Sequence, residues 1–145
     1  MDRLAFTIPG EPRGKGRPRI SRVGSHARMF TDTKTANYEG MVAMAAERAM
    51  DGAKPFDCPL EFHLRVRMVP AASVSRKARE AMLAGLIPPT KKPDLDNVVK
   101  AILDGCNAVA FRDDVLVVSQ TATKVYADTA GVDVLIRRFR PGSID

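Results

Sequence analysis

Cysteine and histidine are scarce in this chain of 145 residues, which has two of each. Cys58 and Cys106 lie far apart, and no cysteine pair has the spacing of a zinc site. With only His26 and His63 to add, this argues against a structural zinc ion and predicts reduced, buried cysteines. A catalytic metal would therefore be held mainly by oxygen ligands, which favours Mg²⁺, with Mn²⁺ as the alternative.

Long apolar runs are also absent. No stretch approaches the length needed to cross a bilayer, and the first residues lack a signal-peptide pattern. We therefore expect no membrane partner and a cytoplasmic location. The size, with 45% hydrophobic and 28% charged residues, is that of one globular domain with its own core. A single domain over residues 1–145 is the expectation.

Positive charge is in excess and is concentrated near the N-terminus. The net charge of +6 and the pI near 9.7 permit a nucleic-acid partner without requiring one. In residues 11–28, glycine and proline alternate with cations, which predicts a flexible basic loop. Such a loop either is only solvated or follows phosphate groups, where lysine and arginine release counterions. The candidate phosphate contacts here are Arg13, Lys15, Arg17 and Arg19.

An acidic cluster stands out against this basic background. Asp94 and Asp96 are followed, further along, by the adjacent pair Asp113 and Asp114. The apolar residues in 95–106 recur with the period of a helix. On one continuous helix Asp94 and Asp96 would point about 200° apart, given 3.6 residues per turn. They converge only if Asp94 is the cap that precedes the helix.

These carboxylates allow two interpretations. One is an aspartate N-cap followed by an exposed Asp96–Lys100 ion pair, worth about 0.3–0.5 kcal/mol. The other is a divalent-ion site, since carboxylates this close repel each other and a cation is their natural partner. A metal ion in a basic protein further indicates a phosphate substrate. Lys91 and Lys92, in the extended segment before the acids, would offset part of the carboxylate repulsion and could also hold a scissile strand near the metal.

Periodicity elsewhere predicts an α/β fold with four strands and three helices. The predicted strands cover residues 4–8, 60–69, 115–126 and 132–139. The predicted helices run from caps at 31–33 to about 49, from 76 to 84, and from 95 to 106. We expect the last two strands to form a hairpin around a turn at 127–131, and a loose tail at 140–145. The result is a mixed four-stranded sheet with the helices on one face.

The motif Asp-Leu-Asp-Asn at 94–97, the lysine at 100 and the later Asp-Asp pair resemble the RusA-type Holliday-junction resolvases. The runs Gly-Lys-Gly-Arg-Pro-Arg at 14–19 and Pro-Thr-Lys-Lys-Pro at 89–93 resemble the phage and prophage branch of that family. The resemblance covers residues from about 4 to 136. It implies the same α/β fold, a homodimer, and an endodeoxyribonuclease that cuts four-way junctions and related branched DNA in recombination and repair.

The resemblance also implies the residues of the site. The family's acidic residues match Asp94, Asp96 and Asp114, which would hold Mg²⁺, and its lysine matches Lys100. That lysine would stabilise charge in the transition state or position the attacking water. Asp113 is either a further ligand or only a neighbour. No small-molecule cofactor is implied.

Two other classes of function stay open. A protein that only binds nucleic acid would use the carboxylates as caps and surface pairs. A metal-dependent phosphohydrolase acting on a small substrate would have little use for the basic loop, whereas a nuclease uses both the acids and the bases.

A two-fold symmetric junction needs two active sites, which is the physical reason to expect a homodimer. The last two predicted strands are the leading candidates for the interface, because they carry more β-branched residues than one buried sheet face requires; the alternative is that both faces of these strands are covered within the monomer. These residues include Val117, Val118, Val125, Val132 and Val134.

Overall fold

The computed structural model describes residues 1–16 and 33–142 with their side chains, and the backbone alone of residues 19–23 and 26–30. The predicted helix cap at residues 31 and 32, Arg17 and the last three residues of the tail lie outside this description. The strands are β1 (Arg3–Pro9), β2 (Arg19–Val23), β3 (His26–Phe30), β4 (Leu60–Met68), β5 (Val117–Tyr126) and β6 (Gly131–Arg138). The α-helices are α1 (Thr33–Met50), α2 (Arg76–Leu83) and α3 (Leu95–Cys106), with one 3₁₀ turn at Asp114–Leu116.

The main sheet has four strands in the order β1-β6-β4-β5. Strand β6 runs antiparallel to both β1 and β4, whereas β4 and β5 are parallel. The parallel pair is possible because α2 and α3 lie between β4 and β5 in the chain and carry it back to the same end of the sheet. The predicted α/β fold with a mixed four-stranded sheet is confirmed.

The predicted hairpin between the last two strands is wrong. Strands β5 and β6 lie on opposite sides of β4, and the connection at 127–130 passes over the end of β4. The backbone amide of Ala127 donates to the carbonyl oxygen of Met68 (2.8 Å) during this passage. A short turn between two strands favours a hairpin when only local sequence is considered. Here the pairing of both strands with β4 decides the topology.

The same arrangement corrects the expected dimer interface. Val132 and Val134 of β6 are buried within this chain, at 0% and 2% exposure. A central strand is covered by its neighbours and by the helices, so these side chains are not available to a second copy. Strand β5 is an edge strand, and Val118 on it is 55% exposed.

Part of the interval that was expected to be a basic loop is ordered as a second, two-stranded sheet. Strands β2 and β3 pair antiparallel, from Arg19 opposite Phe30 to Val23 opposite His26. The expectation of a loop over residues 11–28 is therefore wrong for the residues of these strands. The glycines, prolines and cations early in the interval favour a loop. The apolar residues further along favour strands, and the prediction gave them too little weight.

Helices α1 and α3 pack against each other and cover one face of the main sheet. Helix α1 buries Tyr38, Val42, Ala46 and Met50, which recur every four residues along one stripe. The facing side of the sheet is apolar on β1, β4 and β6. Its fully buried side chains include Ile8, Leu60, Phe62, Val66, Val132 and Ile136.

The two helices are in close contact at Gly105. A Cβ atom at this position would lie 2.6 Å from Cβ of Val42 and 2.9 Å from the carbonyl oxygen of Glu39. Only glycine permits such an approach, so the position of α3 on α1 is tightly determined. No helix in the described part of the chain is long and apolar enough to span a membrane.

Two glycines test this packing. Gly105→Ala should destabilise the protein by about 1–3 kcal/mol, since the added methyl group overpacks the contact between α1 and α3. Gly40→Ala, in α1 with no atom within 4 Å of the added group, should stabilise it by about 0.5–1 kcal/mol through helix propensity. Urea unfolding followed by circular dichroism measures both. Equal gains in the two variants would contradict the close packing.

Candidate functional site

The site begins at the N-terminus of α3. Asp94 is the N-cap residue, as predicted, with extended backbone (φ −62°, ψ 137°). Its carbonyl oxygen accepts a hydrogen bond from the amide of Val98 (3.1 Å), but its carboxylate makes no capping bond. The carboxylate of Asp94 therefore does not have the usual structural role of an N-cap aspartate. Asp96, in the first turn, is also exposed.

Burial determines which residues α3 presents to solvent. Val98 and Ile102 are fully buried, so the opposite face carries Asp96, Lys100 and Asp104 at intervals of four residues. Negative charge in the first turn is also favourable to the helix dipole. The amphipathic pattern of the helix thus places the predicted acids and lysine on an accessible surface.

Asp113 and Asp114 lie at the 3₁₀ turn before β5. The carboxylate of Asp113 accepts a hydrogen bond from the amide of Val115 (3.0 Å) and caps the turn. This bond, together with a hydrogen bond shared with Asp114, holds the pKa of Asp113 below its ordinary value.

The pKa of Asp114 is shifted in the opposite direction, and the causes of the shift identify its neighbours. Its pKa is raised, first by the hydrogen bond shared with Asp113, then by burial and by the negative charges of Asp113 and Asp104. The positive charge of Lys100 opposes the rise. The fold therefore brings the start of β5 beside the outer face of α3, and Lys100 and Asp114 are electrostatic neighbours.

The carboxylates match a divalent ion in chemistry but are not gathered into a preformed site. Exposed carboxylates at Asp94, Asp96 and Asp114 are the oxygen ligands that Mg²⁺ and Mn²⁺ take. Among the described residues, however, no three acidic, histidine or cysteine side chains are close enough to share one metal ion. A bound ion would have to draw these carboxylates together.

A basic groove of about 640 Å³ adjoins Asp94. One wall is the segment of residues 12–16, here called the N-terminal arm, and the other walls are the start of α1 and residues 92–97. Four cations line the groove: Arg13, Lys15, Lys34 and Lys92. Lys34 was not a candidate in the sequence, because its nearness to the acids arises only from the packing of α1 on α3.

The N-terminal arm is docked firmly onto the helices. The amide of Lys15 donates to the carbonyl oxygen of Asn97 (3.0 Å), and the amide of Gly16 donates to Oγ1 of Thr35 (2.8 Å). A Cβ atom on Gly14 would lie 2.9 Å from Cβ of Asn97, so glycine allows the close contact. The arm therefore reaches α3 just after the aspartates.

Lys15 has partners inside the molecule. Its ammonium group binds the carboxylates of Glu39 (2.9 Å) and Asp104. The hydrogen bond with Asp104 is the main reason that the pKa of Lys15 is raised, although burial opposes the rise. The sequence pointed to Lys15 as a phosphate contact, whereas the structure gives its charge to two carboxylates of the helices.

Of the other residues predicted to contact DNA, two lie at the groove and two are not described with their side chains. Lys91 is exposed beside the groove, and Lys92 lines it. Arg17 lies outside the described residues, and Arg19 is described only as backbone.

One further lysine near the site, Lys124 on β5, was not predicted from the sequence. Its ammonium group donates to the carbonyl oxygens of Lys91 (2.7 Å) and Pro93 (3.0 Å). These partners lie 33 and 31 residues earlier in the chain, so no local pattern pointed to Lys124.

An α/β domain with exposed carboxylates beside a basic groove is the arrangement of a protein that processes phosphodiesters. Comparison with known proteins agrees. The family model described as Endodeoxyribonuclease RusA matches residues 9–137. The chain is also 35% identical over 144 residues to "Uncharacterized protein YqaN" of Bacillus subtilis (strain 168), covering 94% of this chain and 97% of that protein.

The chain therefore belongs to the RusA endodeoxyribonuclease family, as its motifs indicated. The family consists of nucleases that hydrolyse DNA and bind branched junctions. Its members are generally dependent on a divalent metal. This agrees with the exposed carboxylates at the start of α3.

The ion pairs of Lys15 can be tested by a double-mutant cycle. Lys15→Met, Asp104→Asn and the double variant should show a coupling energy of about 1 kcal/mol in urea unfolding. The exposed pair Arg76–Glu80 (3.5 Å) is the control, expected at about 0.3–0.5 kcal/mol.

The pH dependence of that coupling follows from the raised pKa of Lys15. The stabilisation is complete below the ordinary lysine value of 10.5 and is lost as the pH rises through the raised value. The coupling energy should therefore be the same at about pH 6 and pH 9. A coupling no larger than that of the exposed control pair would contradict the anchoring role.

Proposed function

We propose that this chain is a Mg²⁺-dependent endodeoxyribonuclease that resolves Holliday junctions and related branched DNA. It would cut by symmetric phosphodiester hydrolysis in recombination and repair, with the cytoplasm as its place of action and Mn²⁺ as an alternative ion. The observation that carries the proposal is the basic groove beside the free carboxylate of Asp94. Membership in the family supports the reaction class.

The proposed roles follow from the chemistry of each side chain. Asp94, Asp96 and Asp114 would hold the ion, and Asp113 is either a further ligand or only the hydrogen-bonding neighbour of Asp114. A bound divalent ion supplies positive charge at the scissile phosphate and makes a water molecule more acidic. The nearby charge of Lys100 favours ionised Asp114 and can stabilise negative charge that develops on the phosphate.

The groove is the proposed path of the DNA strand. Arg13, Lys34 and Lys92 would contact successive phosphates, with Lys91 beside them and Arg17 and Arg19 extending the basic surface. Such contacts bind DNA of any sequence, since they involve only the backbone. Asp94, on the wall of the same groove, would then lie close to the phosphate that is cut.

A homodimer is part of the proposal. Cutting a four-way junction symmetrically requires two active sites related by a two-fold axis, and this chain has one acidic cluster. The partly exposed edge strand β5 offers a surface that the chain itself leaves unpaired within the described residues. A mass in solution of twice 15.8 kDa by light scattering is the supporting result, and a monomer that makes paired nicks would exclude the dimer.

Substitution of one proposed ligand tests the reaction. Asp96→Asn should reduce cleavage of a synthetic four-way junction by more than the 10–100-fold typical of losing an outer-shell partner. Binding of the junction should stay the same or become tighter, because an anion near the phosphate is removed. Asp128→Asn, an exposed aspartate in the connection from β5 to β6, is the matched control and should cleave normally.

The substrates and the ion are varied in the same assay. The wild-type chain should cut the junction in Mg²⁺, should leave a linear duplex of matching sequence intact, and should be inactive in chelator. Full activity in chelator or in Asp96→Asn would exclude the metal mechanism. Binding that needs no metal, with no cleavage of any DNA, would favour a protein that only binds nucleic acid.

The groove is tested by the salt dependence of DNA binding. Arg13→Ala and Lys34→Ala should each reduce the slope of log K against log salt concentration by about one unit, because each removes one phosphate contact. Lys77→Ala, an exposed lysine of α2, should leave the slope unchanged. Fluorescence anisotropy with a labelled junction in Ca²⁺ measures the slopes. The same slope in all four proteins would place the DNA elsewhere.

A further inference from the structure

Lys124 occupies an unusual place for a lysine. It lies on β5 opposite Val66 of β4, a residue that is fully buried. Paired residues of neighbouring strands project to the same face of a sheet, so Lys124 lies on the face that the helices cover. Strand β5 is at the edge of the sheet. The lysine stem can therefore run along the apolar face while the ammonium group reaches past it.

Among the described residues, the ammonium group ends on main-chain oxygens. It donates to the carbonyl of Lys91 at 2.7 Å and to the carbonyl of Pro93 at 3.0 Å. A charged donor makes stronger hydrogen bonds to such oxygens than a neutral donor does. The two acceptors flank Lys92, so a single side chain holds both ends of this short segment.

The clamped segment leads directly into Asp94. Pro93 has no N–H group with which to hold itself in place, and the carboxylate of Asp94 makes no capping bond. The direction of that carboxylate therefore depends on the backbone before it. The N-terminal arm also packs against this segment, since a Cβ atom on Gly14 would lie 3.4 Å from Cβ of Pro93.

We propose that Lys124 is a positioning residue for the active site: it fixes the backbone of residues 91–93 and thereby aims the carboxylate of Asp94 and the side chain of Lys92. This inference rests on the proposed function, because it assumes that Asp94 is a metal ligand. Lys124 acts through the backbone and touches neither DNA nor metal. Removing its donors would loosen the segment, whereas the acids themselves would remain.

Two substitutions of Lys124 test whether its hydrogen-bond donors are needed. Lys124→Met keeps a long apolar stem and removes the hydrogen-bond donors, whereas Lys124→Arg keeps donors and charge. Binding of Mn²⁺ is measured by calorimetry in the absence of DNA, and kcat and KM are measured on the four-way junction. Hydrogen exchange of the amides in residues 91–98 reports on the segment directly, and thermal unfolding reports on overall stability.

Lys124→Met should weaken Mn²⁺ binding and lower kcat by about 10–100-fold, as expected for loss of a group that orients a ligand. KM should change little, and Lys124→Arg should recover much of the activity. The amides of residues 91–98 should exchange faster, without a matching loss of global stability. In an Asp94→Asn background the same substitution should cause no further loss of Mn²⁺ affinity, because the residue it positions is already removed.

Several outcomes would overturn the inference. Unchanged exchange in residues 91–98 would show that Lys124 is no clamp, whatever the activity. Faster exchange with unchanged Mn²⁺ affinity would show that the clamp does not position Asp94. A rise in KM alone would make Lys124 a DNA contact. A wild-type chain that binds no Mn²⁺ and cuts no DNA would instead refute the proposed function, and the exchange data would still decide whether the clamp exists.

Discussion

The close packing of α3 on α1 is the contact on which the rest of the site depends. At Gly105 the two helices approach so closely that a single methyl group would collide with Val42. Helix α3 must also bury Val98 and Ile102, so both its rotation and its position are determined. The aspartates and Lys100 of its outer face are therefore presented on one surface by the packing of apolar residues that have no chemical role.

The cations of this protein fall into two groups that the sequence does not distinguish. Some are paired inside the molecule, and others are exposed in the groove. Lys15 is engaged by Glu39 and Asp104, and Lys124 by two backbone carbonyls. These two lysines hold the N-terminal arm and the segment before Asp94. Arg13, Lys34 and Lys92 line the groove together with Lys15. Lys15 and Lys124 are partly buried and make internal contacts, whereas Arg13, Lys34 and Lys92 are exposed.

The acidic residues are similarly divided. Asp104 is bound to Lys15, and Asp113 caps the turn before β5. Asp94 makes no capping bond, and Asp114 has a raised pKa, first because of the hydrogen bond shared with Asp113 and then because of burial and the negative charges of Asp113 and Asp104. Mutual repulsion of this kind disfavours full ionisation of the cluster and is relieved when a cation arrives. The proposed binding of a divalent ion would relieve this repulsion, although the described carboxylates are not yet gathered into a ligand set.

The local sequence was enough to predict the helices, the four strands of the main sheet, the N-cap position of Asp94 and the family, because periodicity and a short motif are local properties. Strand order was not predictable in this way: β5 and β6 separate because both pair with the distant β4. Lys34, Lys124 and the partners of Lys15 could not be predicted either, since their contacts join residues far apart in the chain. The sequence alone determined which side chains can do the chemistry. Only the tertiary structure decided which of them meet, because long-range packing of the helices on the sheet determines every one of those distances.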